Sequence, residues 1–335
     1  MNVTWCDTTG ARLGCCFPLS LEHPFTVQQA RAAGVSRHDL RTLHSNGFVR
    51  PVLRSVYVAS QVPDDMWLRA RALALVLPPE AVVTDRTAAW LHGVNVLPRT
   101  SRDSVPPVEA FHTADTRMAR AGVASGRRGL LPSDVTVIHG IRTTTALRTA
   151  LDLGRLLWRF DALGALDGFL RIGVPHEAMV DQLDRFKGFR GVIQLRHLVP
   201  LADGRSESMG ESALRLHWHD AGLPWPELQV WVYDDDGTPI YRLDIALLDP
   251  LYAAEYDGEE NHSSDEDKEH DLERREWCSA QRGWHFEVFT KKEVYRREPD
   301  PLPILRGGLT EARRNERWTP YGGPMPAATT RLWTP

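Results

Sequence analysis

The chain has 335 residues, 42% hydrophobic and 25% charged, the make-up of an ordinary globular protein long enough for two or three compact domains. Its formal net charge of -4 excludes a uniformly basic nucleic-acid binder but leaves room for opposed local charges. Four cysteines, Cys6, Cys15, Cys16 and Cys278, form neither a disulfide framework nor a CxxC zinc pair, and no run approaches the roughly 18 apolar residues of a membrane span.

Residues 1–23 lack a basic segment followed by a sustained apolar run, which argues against a secretory signal. They read as a disordered leader, and the expected location is a reducing cytoplasm. Residues 24–60 are compact. "TVQQARAAG" has a Thr cap and ends at Gly34; "SRHDLRTLHSNG" starts on Ser36 and stops at Gly47; "FVRPVLRSVYVA" alternates as a small hairpin. Helix, helix and hairpin is the order of a winged helix-turn-helix. Arg37, His38 and Arg41 on its second helix, with Arg54 in the hairpin, are candidate nucleic-acid contacts. The plainer alternative is a solvated basic helix in a protein-binding module.

Residues 61–155 predict an α+β region. "MWLRARALALVL" is an amphipathic helix ending before Pro78-Pro79, and "RTAAWLHG" is a short helix capped by Thr84 or Asp85. "VEAFHT" and "VTVIHG" are strands of a small sheet, separated by the basic "RMARAGVASGRRG". "TTTALRTALDLGRLL" has apolar residues at helical spacing. His92, His112 and His139 read as structural histidines. Residues 156–203 form a helical connector.

From residue 204 the predicted order is αβββαβ. "ESALRLHWHDAG" is a helix, "LQVWVYDDDGTPIYRLDIAL" a hairpin, and "YAAEYDG" a third strand. "SSDEDKEHDLERREWCSAQRG" is a helix and "WHFEVFT" a last strand. The tail, residues 299–335, reads as loosely ordered, with a short helix over 309–317. In this order Glu211 lies in the first helical turn, Asp244 on the second strand, and Glu255 and Asp257 two apart on the third, hence on one face. Buried carboxylates without a counter-ion repel one another. Acids converging on one rim suit a hard divalent cation such as Mg²⁺ or Mn²⁺. Trp218, Trp225 and Trp231 read as core, the alternative being aromatic wedges into a duplex.

Two resemblances follow. The order of acids in "ESALR", "YRLDIAL", "AEYDGEENH" and "DLERREWC" resembles the PD-(D/E)xK nuclease core and, more narrowly, Vsr-like endonuclease domains, over about residues 205–296. The winged helix, "TAAWLHG" and "TTTALRTALDL" resemble the AbiEi antitoxins of type IV toxin–antitoxin systems, over residues 24–155. The first resemblance implies a restriction-endonuclease-like domain over 204–298 that hydrolyses DNA phosphodiesters. Asp244, Glu255 and Glu211 would be metal ligands there. Asp257 stands where the motif has lysine, and His262 would substitute as the proton acceptor. Arg274 or Arg275 would hold the scissile phosphate or pair with the acids. The second resemblance implies the alternative: a non-catalytic DNA-binding regulator, or an antitoxin with a cognate toxin as partner. Double-stranded DNA is the partner that both imply.

Overall fold

The computed structural model describes residues 5–7, 12–78, 81–96, 108–112, 123–124, 129–258 and 265–316. It is a mixed α/β chain in two units, residues 1–156 with 177–182, and residues 157–176 with 183–335.

The first unit opens with β1 (Cys6–Asp7) and β2 (Arg12–Leu13), a short antiparallel pair. The described part of the expected disordered leader is built into a core instead. Leu13 and Phe17 are buried with Phe25, Leu40 and Leu43, and the Gln61 side chain accepts the Leu13 N–H at 3.2 Å. Apolar burial by Leu13 and Phe17 outweighs the polar composition around them.

Next come β3 (Phe25–Thr26), α1 (Val27–Ala32), α2 (Arg37–Ser45), β4 (Val49–Leu53) and β5 (Val56–Ala59), with strand order β3-β5-β4. Both helices begin with reciprocal capping boxes, Thr26 with Gln29 and Ser36 with Asp39. Gly34 and Gly47, at φ of +85° and +74°, let the chain turn out of them. Helix, helix and hairpin thus appear where the sequence predicts them, with β3 as an additional strand.

A second core joins this hairpin to α3 (Met66–Ala74), β6 (Ala81–Val83), α4 (Asp85–Leu91), β7 (Val108–His112), β9 (Val135–Ile138) and β10 (Ile141–Thr144), in a region that also contains β8 (Val123–Ala124) and α5 (Ala146–Leu156). The strands form one sheet in the order β8-β7-β6-β10-β9. Within α5 the buried Arg148 bonds Asp134 at 2.7 Å and Asp152 at 2.9 Å, and Asp152 also holds Arg155 at 2.7 Å. His92 donates to the Thr144 carbonyl at 2.8 Å, a structural contact, and the exposed His139 lies against the Trp67 ring at 3.8 Å; the His112 side chain lies outside the described residues.

The second unit contains α6 (Arg159–Arg171), then α7 (His176–Asp181), whose residues from Glu177 belong to the first unit, then α8 (Val192–Leu198) and α9 (Met209–Asp220). The sheet follows: β11 (Glu227–Tyr233), β12 (Pro239–Leu248), β13 (Leu251–Asp257), α10 (Asp265–Arg282) and β14 (His285–Thr290), with strand order β11-β12-β13-β14. The first three strands are antiparallel. β14 runs parallel to β13, with α10 as the crossover that parallel pairing requires. Trp218 of α9 stacks on Tyr252 of β13 at 5.2 Å, and buried Arg215 is held by buried Asp167.

The tail departs from expectation. Residues 301–316 form one helix, α11 (Pro301–Glu316), whose Leu305 carbonyl accepts the Tyr252 hydroxyl at 3.1 Å. Its prolines fall in the first turn, where no intrahelical N–H is needed. Gly308 is required because a Cβ there would come within 2.7 Å of the Tyr252 ring. Among the three tryptophans expected in the core only Trp218 is buried. Trp225 and Trp231 are 64% and 46% exposed, and Trp231 carries the Arg242 guanidinium over its ring.

Candidate functional site

In the first unit the Ser36 capping box fixes the start of α2 and so the direction of its side chains. Leu40 and Leu43 are buried, while Arg37 and Arg41, four residues apart, share the exposed face. Arg54, in the turn between β4 and β5, and Arg31, in the last turn of α1, line the same concavity of about 1020 Å³. Among the described residues no carboxylate pairs with any of these four arginines. Arg69, Arg148, Arg159 and Arg215, by contrast, each hold an acid at 2.5–3.0 Å. The one acid of this segment, Asp39, receives the Ser36 hydroxyl at 2.6 Å, and that bond holds its carboxyl below the usual range. His38 is exposed but does not line the concavity, whereas His44 does.

In the second unit the acids meet where the sheet divides. Pairing of β12 with β13 runs from Leu248↔Leu251 to Ile245↔Ala254 and stops. Beyond it the Asp244 carboxylate accepts the Tyr256 N–H at 3.0 Å, in place of a ladder carbonyl. Glu255 is 5% exposed. Its Oε2 accepts the Tyr241 hydroxyl at 2.5 Å and lies 3.7 Å from Arg275, while its buried Oε1 has no hydrogen-bond partner among the described residues. Glu211, in the first turn of α9, accepts the Glu207 N–H at 2.8 Å and the Gln229 side-chain amide at 2.9 Å. Gln229 interrupts β11 with a φ of +56°, between the pairs Leu228↔Ile245 and Val230↔Leu243, and so lies across from Asp244.

Burial is the main influence on these acids. It raises Asp244 to about 7, with the charge of Glu211 adding to the effect. It raises Glu255 to about 8; Asp244 adds to that, while Tyr241 and Arg275 oppose it. Glu211 is also raised, again chiefly by burial. Arg242 and Arg215, the cations nearest in sequence, are engaged elsewhere, with Glu207 and Asp167.

Asp244 and Glu255 are therefore brought together, with Glu211 close enough to influence Asp244. Asp257 sits at the exposed strand end, and His262 lies outside the described residues. Arg275 reaches Glu255, but Arg274 pairs with Asp271 at 3.6 Å on the exposed side of α10. Among the described residues no group of three His, Cys, Asp or Glu side chains is arranged to hold a metal ion. Each member of the pair has an oxygen engaged internally, and Arg275 supplies the nearby positive charge. The cation expected on Glu211, Asp244 and Glu255 would meet acids of which Asp244 already accepts the Tyr256 N–H and Glu255 the Tyr241 hydroxyl. Sequence reasoning missed Tyr241, Gln229 and Gly210. A Cβ on Gly210 would lie 2.0 Å from the Tyr256 ring, so glycine beside Glu211 was the available signal.

The fold is that of a mixed α/β protein, and residues 80–201 match the AbiEi antitoxin C-terminal domain. That match begins later and ends later than the expected 24–155, and residues 204–298 lie outside it. Over 272 residues the chain is 32% identical to each of two Mycobacterium tuberculosis proteins, uncharacterized protein MT2308 of strain CDC 1551 / Oshkosh and uncharacterized protein Rv2248 of strain ATCC 25618 / H37Rv. The similarity covers 80% of this chain and 94% of each of theirs, and the chain belongs to their family.

Proposed function

We propose that this protein is a DNA-binding regulator of the toxin–antitoxin type, contacting duplex DNA through a winged helix over residues 24–60. The observation that carries the reading is the convergence of Arg31, Arg37, Arg41 and Arg54, without carboxylate partners among the described residues, from three adjacent elements. Unpaired guanidinium groups on one face suit phosphate contacts, which position a protein on DNA. The antitoxin domain at residues 80–201 supports the same class and adds a cognate toxin as a candidate partner. The test is fluorescence anisotropy of labelled duplexes, one from upstream of the protein's own gene and one unrelated. Binding that weakens with salt and prefers the upstream duplex is the expected result. No binding of either duplex at low salt sinks the proposal.

A second reading, phosphodiester hydrolysis at Asp244 and Glu255 with Mg²⁺ or Mn²⁺, draws on the buried and unpartnered Oε1 of Glu255. Glu255 would use that oxygen while its Oε2 keeps the Tyr241 hydroxyl. Plasmid nicking that disappears in both Asp244→Ala and Glu255→Ala would establish it. A plasmid left supercoiled with either metal removes it.

A further inference from the structure

The concavity beside α2 has a second wall that phosphate contacts alone do not need. It is also lined by Leu75 and Val76, just after α3, and by the edge of the largely buried Val108 at the start of β7. Leu75 and Val76 are only half-buried. Tyr57 also lines it, with the His44 ring edge-on at 6.1 Å. Gln28, exposed on α1, adds an amide that can both donate and accept.

We infer that this concavity binds a nucleoside polyphosphate, with the base against the apolar wall and the phosphates on the arginines. Three observations lead there. The space, about 1020 Å³, is at the upper end of the roughly 300–1,000 Å³ typical of small-molecule sites. The lining is of two kinds: guanidinium groups from α1, α2 and the β4–β5 turn, which grip phosphate oxygens in pairs, and aliphatic side chains that include Leu75, Val76 and Val108. The arginines are uncompensated, so an anion of several charges would complete the site. A duplex backbone is anionic along its whole length and offers nothing to Leu75, Val76 or Val108. A base is flat and apolar on its faces, with donors and acceptors on its edge for Gln28. The inference shares arginines with the proposed DNA contact but does not depend on it.

Isothermal titration of the full chain with ATP, GTP, tripolyphosphate and adenosine tests it. Saturable binding of ATP or GTP at one site is expected, with tripolyphosphate and adenosine each at least about tenfold weaker, because each keeps only half of the contacts. Val76→Asp should weaken the nucleotide about tenfold or more while leaving tripolyphosphate within about threefold, since it places an acid against the base. If that variant loses its folded signal, the wild-type comparison of ATP with tripolyphosphate still decides. Equal binding of ATP and tripolyphosphate, or no binding of either nucleotide, overturns the inference. Nucleotide binding without duplex binding removes the DNA-contact proposal and leaves this one standing; duplex binding without nucleotide binding does the reverse.

Discussion

Asp244 and Glu255 are acids that the fold keeps partly protonated. Unfolded, they titrate near their ordinary values of 3.8 and 4.5; folded, burial moves them to about 7 and about 8. Between those limits the folded state holds more protons than the unfolded chain, so stability falls as pH rises. The contribution is complete below about pH 4 and gone above about pH 8. A tenfold change in proton affinity corresponds to about 1.4 kcal/mol, and burial moves each acid by more than tenfold, so more than about 1.4 kcal/mol is expected to vary across this window. Glu255→Gln keeps an acceptor for the Tyr241 hydroxyl and removes the titration. Thermal unfolding at pH 5, 6.5 and 8 should show the variant with the flatter dependence and the higher midpoint at pH 8. An unchanged slope would mean that Glu255 is already ionised, with Arg275 compensating it.

At the scale of elements, close approaches matter more than composition. The α9 helix reaches the sheet at Gly210, where the Tyr256 ring occupies the space a Cβ would need. Gly210→Ala gains helix propensity but must displace α9 or β13. A net loss of about 1–3 kcal/mol is expected, measured by urea unfolding, and a stabilised variant would show that the contact relaxes freely. In α5, Arg148→Leu removes the guanidinium that bonds the buried Asp134 and Asp152. It should cost about 3–5 kcal/mol, read by the same method; a loss under about 1 kcal/mol would mean that water reaches these acids. The elements that could be read from sequence were those with local signals. Thr26, Ser36, Gly34 and Gly47 mark the ends of α1 and α2 because caps and left-handed turns depend on neighbours only. Only the second half of α11 was legible; the first half was not, since Gly307 and Gly308 resemble disorder until the Tyr252 ring is seen beside Gly308. Asp244 and Glu255 could be picked out as a pair from strand order. Their hydrogen-bond partners could not, because Tyr241 and Arg275 reach Glu255 only through hairpin register and the crossover helix.

Across the whole molecule the net charge of -4 hides a strong local imbalance, and salt dependence is where that imbalance becomes measurable. Cations already paired with carboxylates release no counterions on meeting DNA, so the paired arginines elsewhere in the chain should contribute little. Arg31, Arg37, Arg41 and Arg54 have no carboxylate partner among the described residues and lie together. Each phosphate they neutralise should add about -0.9 to the slope of log K against log salt, giving about -3 to -4 when all four engage. The Arg37→Ala/Arg41→Ala double variant should lower that slope in magnitude by about 2 and weaken binding to all duplexes alike. Its thermal midpoint should stay close to wild type, because both side chains are exposed and hold no carboxylate among the described residues. A wild-type slope near zero would remove the arginine face from DNA contact. An unchanged slope in the double variant would place the phosphate contacts elsewhere on the chain.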